Sequence, residues 1–502
     1  MSKDKEKIEN DMKALDKIKD APFGQGNAMN SGVIRKIGDE FQAVGVRDFT
    51  DPDSKPIDAD TMMGEGSVGK VRFAGLAYML QQDGKIDLSQ NAREFFSKPS
   101  TTKFLEKKYP GQNMQTEILK LFSGDNEKAT LADLTTHRAG VGDLTRDQGR
   151  LFNQKGDDYN YDLPTLLKIP PNIQGIPRDN GRPRAQHGPQ TVDKDLPKAE
   201  YGAHQYSNLS YALLGVAMEA SYAKEAGTIK SYQELTNDYM LHPIEGKAKD
   251  SGLVFNDTKF PSQITSTDNV VKANWVDKSS GKQVDANQFN GANSAGGMFT
   301  SANDAEKYFK EFFNGFPGTT EYGQEGANKF FTKETIENMQ KEWEKFPPCG
   351  QDKDGNPRKQ GPGFVVTIDK ETNEVLSYDK SGGTLGYNSN MIFYPKAEKV
   401  DLAVVASENV SDHIANQTRI PLATLTNDYK DENGKFDRTA LYQDYKNKQA
   451  VLSEMRTNPK FIATKENLHR SGATLSSQST TNYVLANNAS SGLESNRIKV
   501  AA

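Results

Sequence analysis

The alternation of apolar and polar residues near the start of the chain predicts a β-hairpin. Residues 32–48, GVIRKIGDEFQAVGVRD, alternate in this way around a central Gly-Asp pair, which favours a tight turn. Residues 67–82 then place small and apolar side chains at helical spacing, and Asp83-Gly84 ends the pattern. Two strands followed by a buried helix are therefore predicted to open the fold.

Later segments predict further helices and then a group of strands. Residues 209–221 form a strongly apolar helical pattern, and residues 303–313 form an amphipathic one. Between residues 363 and 408, the short runs GFVVTID, EVLSYDK, NMIFYP and DLAVVAS are separated by turn residues, as in an antiparallel meander. Because strands lie at both ends with helices between them, we predict an α+β fold. One antiparallel β-sheet, flanked by helices, is completed by two distant parts of the chain, and a mostly helical insertion separates them.

The same patterns divide the chain into three predicted parts. These are an amphipathic N-terminal helix at 1–25, a main domain at 26–430, and a helical extension with a flexible tail rich in Ser and Asn at 431–502. The main domain combines two sheet parts, 26–90 and 295–430, with a helical part, 91–294. Residues 160–200 hold seven prolines and few apolar clusters, which predicts a long irregular excursion over the surface.

Composition and charge exclude several classes of protein. With 35% apolar and 26% charged residues, the chain has the composition of a soluble globular protein and not of a fibrous or disordered one. The formal net charge is −5, which is too close to balance to indicate a nucleic-acid or anionic-membrane partner. The longest apolar runs, such as Leu402–Ala406, fall far short of the roughly 20 residues that a membrane span requires. We expect a small-molecule or peptide substrate.

Cysteine, histidine and the N-terminus limit the chemistry and the location. Cys349 is the only cysteine, which excludes an internal disulfide, and the six histidines lack HExxH or His-x-His spacing. We therefore expect no metal and no cofactor. The first 20 residues carry six lysines and six acids, without the apolar stretch of a Sec signal. The expected location is the cytoplasm, or the outside of the cell by a route without a classical signal; if a leader was removed, it is the periplasm.

The segment GEGSVGKV, which begins at Gly64, allows two incompatible interpretations. The first is a phosphate-binding P-loop, but Val71 stands where that motif needs a hydroxyl to hold magnesium. The second is Ser67-x-x-Lys70, in which i, i+3 spacing places a serine nucleophile and an amine on one face of a helix. Since S-x-x-K occurs six times in the chain, this spacing alone does not identify a site.

Two further elements distinguish Ser67 from the other copies. Tyr206-x-Asn208 lies just before the predicted helix at 209–221, and a phenol there could act as a general base if nearby ammonium groups favoured the phenolate. The run KSGG at 380–383 follows a predicted strand and contains the only K-[ST]-G in the chain. Its glycines would let a substrate backbone lie close to the strand edge.

These three elements, in this order, resemble the serine β-lactamase and penicillin-binding-protein superfamily. The similarity is closest to its class C β-lactamase and DD-peptidase or esterase branch. Other segments also look like signature segments of that family: Asp60-Thr61, ATLADLTTHRAG at 129–140, YSNLSYALLG at 206–215 and AGGM at 295–298. The resemblance covers about residues 32–408.

The resemblance implies catalytic roles for four residues. Ser67 would be the acylated nucleophile and Lys70 its proton partner. Tyr206 would be the shared acid and base, and Asn208 would orient Lys70 and the substrate amide. His137 matches a structural position in the family and not a catalytic one.

The resemblance also implies a substrate-binding strand. Lys380 and Ser381 would bind a substrate carboxylate, and Gly382 and Gly383 would lie along the substrate. The backbone N–H groups of Ser67 and Gly383 would form the oxyanion hole.

The expected function is that of a serine hydrolase that forms an acyl-enzyme with an amide, lactam or ester. D-Ala-D-Ala carboxypeptidase, β-lactamase and esterase all remain open, as does an esterase or peptidase unrelated to the cell wall. Many esterase-like members carry histidine where Lys380 stands, so the lysine favours a carboxylate-bearing substrate. The alternative from another class is a binding or effector protein that reuses the fold without catalysis.

Overall fold

The structure is a computed structural model of the chain. It describes the residues 30–38, 40–45, 47, 54–142, 163–168, 192–193, 196–197, 200–272, 274–276, 283–285, 293–352, 354–384 and 387–407. The predicted N-terminal helix, most of the proline-rich segment and the predicted extension and tail lie outside these residues. The division of the chain into three parts therefore stays a prediction.

Ten α-helices and fifteen strands are formed by the described residues. The helices are α1 (Gly69–Gln82), α2 (Ala92–Ser97), α3 (Pro99–Lys108), α4 (Met114–Leu121), α5 (Leu131–Thr135), α6 (Leu163–Lys168), α7 (Asn208–Ala226), α8 (Tyr232–Thr236), α9 (Ala302–Phe313) and α10 (Lys333–Glu344). The strands are β1 (Asn30–Ile37), β2 (Glu40–Gly45), β3 (Met63–Gly64), β4 (Val192–Asp193), β5 (Leu196–Pro197), β6 (Thr258–Lys259), β7 (Asn274–Val276), β8 (Gln283–Asp285), β9 (Phe299–Thr300), β10 (Gly350–Gln351), β11 (Pro357–Gln360), β12 (Val365–Ile368), β13 (Val375–Thr384), β14 (Tyr387–Tyr394) and β15 (Lys399–Ser407).

The main sheet has eight antiparallel strands in the order β10-β11-β12-β13-β14-β15-β1-β2. The hairpin β1–β2 from the start of the chain joins the C-terminal strands through β1, where Ile34 lies opposite Val404 of β15. Residues 30–45 and 350–407 thus complete one sheet, although most of the helices lie between them in sequence. The predicted α+β fold class is confirmed.

Helix α1 lies in the interior of the protein. All residues from Gly69 to Leu80 are buried, which explains why its apolar pattern has no polar face. Gly75 of α1 lies against the ring of Phe312 from α9, where an added Cβ would come within 2.6 Å of the ring. Next to it, Phe313 stacks on Tyr378 of β13, with ring centroids 4.8 Å apart. This aromatic layer links α1 to the main sheet, so the start of α1 has a defined place relative to β13.

Strand β13 is longer than its neighbour β12. The pairing of β12 with β13 ends at Asp379, whereas the pairing of β13 with β14 continues to Thr384. On the β12 side, no other described strand pairs with residues 380–384. The KSGG run at 380–383 therefore presents an open strand edge. The sequence predicts only the first part of β13, because the low β-propensity of Gly382 and Gly383 is overridden by the ladder with β14.

Among the described residues, no helix combines the length and the apolar character that a membrane crossing requires.

Candidate active site

Ser67 lies in a short turn that joins β3 to α1. The turn is a 3-10 helix, Gly66–Val68, which runs directly into α1. Backbone hydrogen bonds hold the preceding Glu65: its N–H donates to Met298 O at 3.0 Å, and its carbonyl accepts from Val68 N at 3.2 Å. The hydroxyl of Ser389 on β14 donates to the same carbonyl. Ser67 is half-buried and sits where the partial positive charge of the helix N-terminus is greatest.

Glycines allow three distant backbone segments to meet at this turn. Gly66 has a φ of +51°, and a Cβ there would lie 2.7 Å from Gly383 N. A Cβ on Gly382 would lie 2.9 Å from Ser67 N, and one on Gly296 would lie 2.3 Å from Gly66 O. From the sequence, the Gly-Gly run of the 295–298 segment is predicted only as part of a family signature. The close contact of Gly296 with the turn that carries Ser67 could not be predicted from the sequence, because it depends on a tertiary partner.

Lys70 is fully buried one helical turn after Ser67. Its ammonium donates to Ser67 Oγ at 3.2 Å, to Asn208 Oδ1 at 2.6 Å and to the carbonyl of Ala295. An ammonium has three N–H donors, and these three acceptors match that number. The Ala295 carbonyl could not be found by sequence reasoning, because every residue carries one.

Tyr206 approaches Ser67 from the loop before α7. Its hydroxyl donates to Ser67 Oγ at 2.6 Å and lies 3.4 Å from Asn208 Oδ1. Two ammonium groups flank the phenol ring: Lys70 Nζ is 5.0 Å from the ring centroid and Lys380 Nζ is 4.8 Å from it. Both distances fall in the range of cation–π contacts.

The loop that carries Tyr206 is anchored by the cap of α7. The Ser207 hydroxyl accepts from Ser210 N at 3.0 Å and donates to Gly142 O at 3.0 Å. Such a serine cap contributes about 1 kcal/mol to helix stability. Asn208 is the first residue of α7, so the same cap also places the amide that contacts Lys70.

Lys380 lies at the start of the open edge of β13. It is half-buried, and loss of hydration lowers the pKa of its ammonium to about 8, with Asp379 opposing this shift and Arg358 adding to it. Among the described residues, no acceptor forms a hydrogen bond with this ammonium. Ser381 follows it, opposite Asn390 of β14.

The structure therefore brings five of the predicted residues into one contact network: Ser67, Lys70, Tyr206, Asn208 and Lys380. Gly382 and Gly383 approach the same turn through their backbones, and Ser381 lies beside them on β13.

Most of the chain matches the model of a known family. The β-lactamase family model matches residues 33–441, which is well over half of the chain. The chain belongs to the β-lactamase family. The superfamily resemblance seen in the sequence is thereby confirmed. A search of curated proteins gave no significant match to this β-lactamase-family chain.

Solved structures with the same fold include a penicillin-binding-protein homologue and an amidase. The octameric homologue from Pyrococcus abyssi has 18% identity and a TM-score of 0.50, covering 84% of this chain and 76% of its own. The D-amino acid amidase from Ochrobactrum anthropi SV3, in complex with L-phenylalanine amide, has 14% identity and a TM-score of 0.51, covering 84% and 97%. At identities this low, the structural similarity establishes a shared fold alone.

A buried ion pair next to the Ser67 turn was not predicted from the sequence. In this β-lactamase-family chain, Arg72 Nε lies 3.1 Å from Glu65 Oε2, and both side chains are fully buried. Burial raises the pKa of Glu65, and the charge and hydrogen bond of Arg72 oppose the shift. The guanidinium also lies 4.0 Å from the ring centroid of Tyr308 on α9. The pair thus links the turn that carries Ser67 to α1 and α9. The only sign of it in the sequence is that two charged residues lie in or next to a segment predicted to be buried.

The described residues contain no group of three or more His, Cys, Asp or Glu side chains that could hold a metal ion.

The close backbone contact at Gly66, in the turn that carries Ser67, can be tested with two matched substitutions. Gly66 and Gly124 both have positive φ, +51° and +66°, but only Gly66 has a backbone neighbour where a Cβ would stand. Each alanine should cost about 1–2 kcal/mol of unfolding free energy from φ strain. Gly66→Ala should in addition slow labelling of Ser67 by a fluorophosphonate about 10²-fold, because the turn must shift.

Thermal denaturation and labelling rates on both purified variants provide the measurement. Equal labelling rates for the Gly66→Ala and Gly124→Ala proteins would show that the turn does not depend on this contact.

Proposed function

We propose that this chain is a serine hydrolase that forms an acyl-enzyme on Ser67 with an amide, lactam or ester substrate. The observation that carries the proposal is the environment of Ser67 Oγ. This oxygen accepts hydrogen bonds from Lys70 Nζ at 3.2 Å and from Tyr206 OH at 2.6 Å. A nucleophile within reach of two proton-transfer groups, at a helix start and beside an open strand edge, is suited to acyl transfer. Family membership and a fold shared with an amidase support the same class of chemistry.

The contacts of Lys70 favour Tyr206 as the proton acceptor. Lys70 stays an ammonium in the resting site, because three acceptors surround its nitrogen. Lys70 and Lys380 together place two positive charges about the Tyr206 ring, and such charges favour a phenolate. In the resting site the Tyr206 hydroxyl donates to Ser67 Oγ at 2.6 Å. Once Tyr206 has lost its proton, this hydrogen bond reverses, and the phenolate would accept the Ser67 proton.

The reaction proceeds in two balanced steps. As Ser67 Oγ bonds to the carbonyl carbon, its proton passes to Tyr206. Tyr206 returns this proton to the leaving nitrogen or oxygen as the C–N or C–O bond breaks. Water or an amine then attacks the acyl-enzyme, gives up a proton to Tyr206, and releases the acyl group as Ser67 regains its proton. Acid–base transfer of this kind contributes roughly 10²- to 10⁴-fold to the rate.

Backbone N–H groups would stabilise the negative charge that develops on the carbonyl oxygen. The candidates are those of Ser67 and Gly383, which the glycine contacts bring onto adjacent backbone segments. An aligned donor of this type is worth about 3 kcal/mol in the transition state. Because Ser67 lies at the start of α1, the helix dipole acts in the same direction.

The substrate side of the site favours an extended substrate that carries a carboxylate. Residues 380–384 offer an open strand edge to a substrate backbone. Lys380 supplies a partly desolvated positive charge there, and Ser381 a hydroxyl. Within the serine hydrolases we therefore favour a D-Ala-D-Ala carboxypeptidase or a β-lactamase over an esterase that acts on neutral substrates.

The nucleophile can be identified by intact-protein mass spectrometry after incubation with a penicillin and, separately, with a fluorophosphonate. Ser67→Ala should abolish the covalent adduct, because it removes the hydroxyl that Lys70 and Tyr206 contact. Ser100→Ala is the matched control: Ser100 belongs to another S-x-x-K sequence, also on a helix, and is exposed. This variant should be labelled like the wild type.

The lifetime of the penicillin adduct separates the two favoured activities, since a β-lactamase releases it fast and a peptidase slowly. An adduct that persists in Ser67→Ala would overturn the proposal. Its absence from the folded wild type with both reagents would do the same, and would favour the non-catalytic alternative.

The charge of Lys380 predicts a pH dependence of substrate binding. Because its pKa is lowered to about 8, the side chain is an ammonium below that pH and a neutral amine above it. KM for a carboxylate-bearing ester should therefore rise as the pH passes 8, while KM for the same ester without the carboxylate stays flat. In Lys380→Met the carboxylate-bearing ester should bind weakly at every pH. Identical pH profiles for the two esters with the wild type would contradict the assigned role.

A further inference from the structure

His137 is a buried imidazole beside the site that the proposed chemistry does not use. It follows α5, is 2% exposed and has a φ of +58°, a conformation that is uncommon for a residue with a side chain. Its ring packs against Tyr206, with centroids 4.6 Å apart, and against Tyr211 of α7 at 5.3 Å. Such a strained and buried position is kept only where the surrounding structure holds it.

The hydrogen bonds of His137 bracket Tyr206. The carbonyl of His137 accepts from Gln205 N at 3.0 Å, and its imidazole Nδ1 accepts from Ser207 N at 3.2 Å. The residues on both sides of Tyr206 are therefore bound to the same histidine. Since the imidazole also contacts the phenol ring, backbone and side chain of Tyr206 are held together.

These contacts determine the protonation state of the imidazole. Nδ1 accepts a hydrogen bond, so the neutral ring carries its hydrogen on Nε2. That Nε2 is buried without a hydrogen-bond partner among the described residues. Burial keeps the pKa of His137 well below its ordinary value, and electrostatic repulsion from nearby His204, Lys380, Lys70 and Arg138 lowers it further. A protonated ring would set two donors, Nδ1–H and Ser207 N–H, against each other.

We propose that His137 is the positioning residue for Tyr206, fixing the phenol against Ser67 by bracketing its backbone and packing on its ring. This inference rests on the proposed role of Tyr206 in proton transfer. It also explains why a destabilising feature is kept. The buried Nε2–H without a hydrogen-bond partner lowers the stability of the fold, and an apolar side chain at this position would avoid that loss. An apolar residue would lack the acceptor for Ser207 N.

Two substitutions separate the acceptor from the ring. Asparagine tolerates positive φ and keeps a side-chain oxygen near the position of Nδ1, whereas glycine tolerates positive φ and supplies no acceptor. We expect the rate of Ser67 labelling by a fluorophosphonate, per folded protein, to fall about tenfold in His137→Asn and about 10²-fold in His137→Gly. The asparagine variant thus partly rescues the loss seen with glycine. His242→Asn, which changes an exposed histidine, should label like the wild type.

A double-mutant cycle with Tyr206→Phe tests whether His137 acts through the phenol. If it does, each His137 variant combined with Tyr206→Phe should label no more slowly than Tyr206→Phe alone. A merely structural role would multiply the two losses. The cycle is run with both His137 variants, so that a glycine variant that fails to fold leaves the asparagine cycle intact.

The outcomes distinguish this inference from the proposed function. Multiplied losses, or wild-type labelling of both His137 variants while Tyr206→Phe is slow, would overturn the role of His137 alone. Wild-type labelling of Tyr206→Phe would overturn the proposed acid–base role of Tyr206 and the inference with it.

Discussion

The arrangement of the site depends on the contact between backbones at the turn Gly66–Val68, which carries Ser67. Gly66, Gly296 and Gly382 come from three segments that are far apart in the chain, and at each of them a Cβ would collide with a main-chain atom of a neighbouring segment. Without side chains between them, the start of α1 lies directly on β13. This contact places Ser67 beside the open edge of residues 380–384 and brings Ala295, next to Gly296, within reach of Lys70. The positions of Ser67 and Lys70 thus follow from one steric constraint.

Charge is distributed unevenly around this contact. The buried carboxylate of Glu65 is paired with Arg72 on the side of α9, so its negative charge is compensated away from the phenol. Lys70 Nζ and Lys380 Nζ lie 5.0 Å and 4.8 Å from the centroid of the Tyr206 ring. Burial holds the pKa of the adjacent His137 imidazole well below its ordinary value, so this ring adds no charge near neutral pH. In an interior of low polarity such charges act strongly. The proposed proton transfer and carboxylate binding would both use this positive charge.

Local patterns predicted the parts of the fold that depend on neighbouring residues. The periodicity of residues 67–82 and 209–221 located α1 and α7, and alternation located the strands from β12 to β15. The order of the three motifs, with the family resemblance, selected Ser67 from six S-x-x-K sequences. Three features could not be predicted from the sequence, because each depends on a tertiary partner and leaves no periodic signal. They are the Ala295 carbonyl, the Glu65–Arg72 pair and the approach of Gly296. Strand β13 was predicted too short for the same reason: its glycines are strand residues only because β14 pairs with them.

The two lysines of the site differ in what they can do. Lys70 is fully buried, and protein acceptors occupy the three directions of its ammonium, so a substrate has no hydrogen bond to gain from it. Lys380 is half-buried, has a lowered pKa and lies on the open strand edge. Its charge is destabilised in the free protein, and an arriving carboxylate would relieve that destabilisation. One lysine thus contacts Ser67 and Asn208 within the protein, whereas we propose that the other interacts with the substrate.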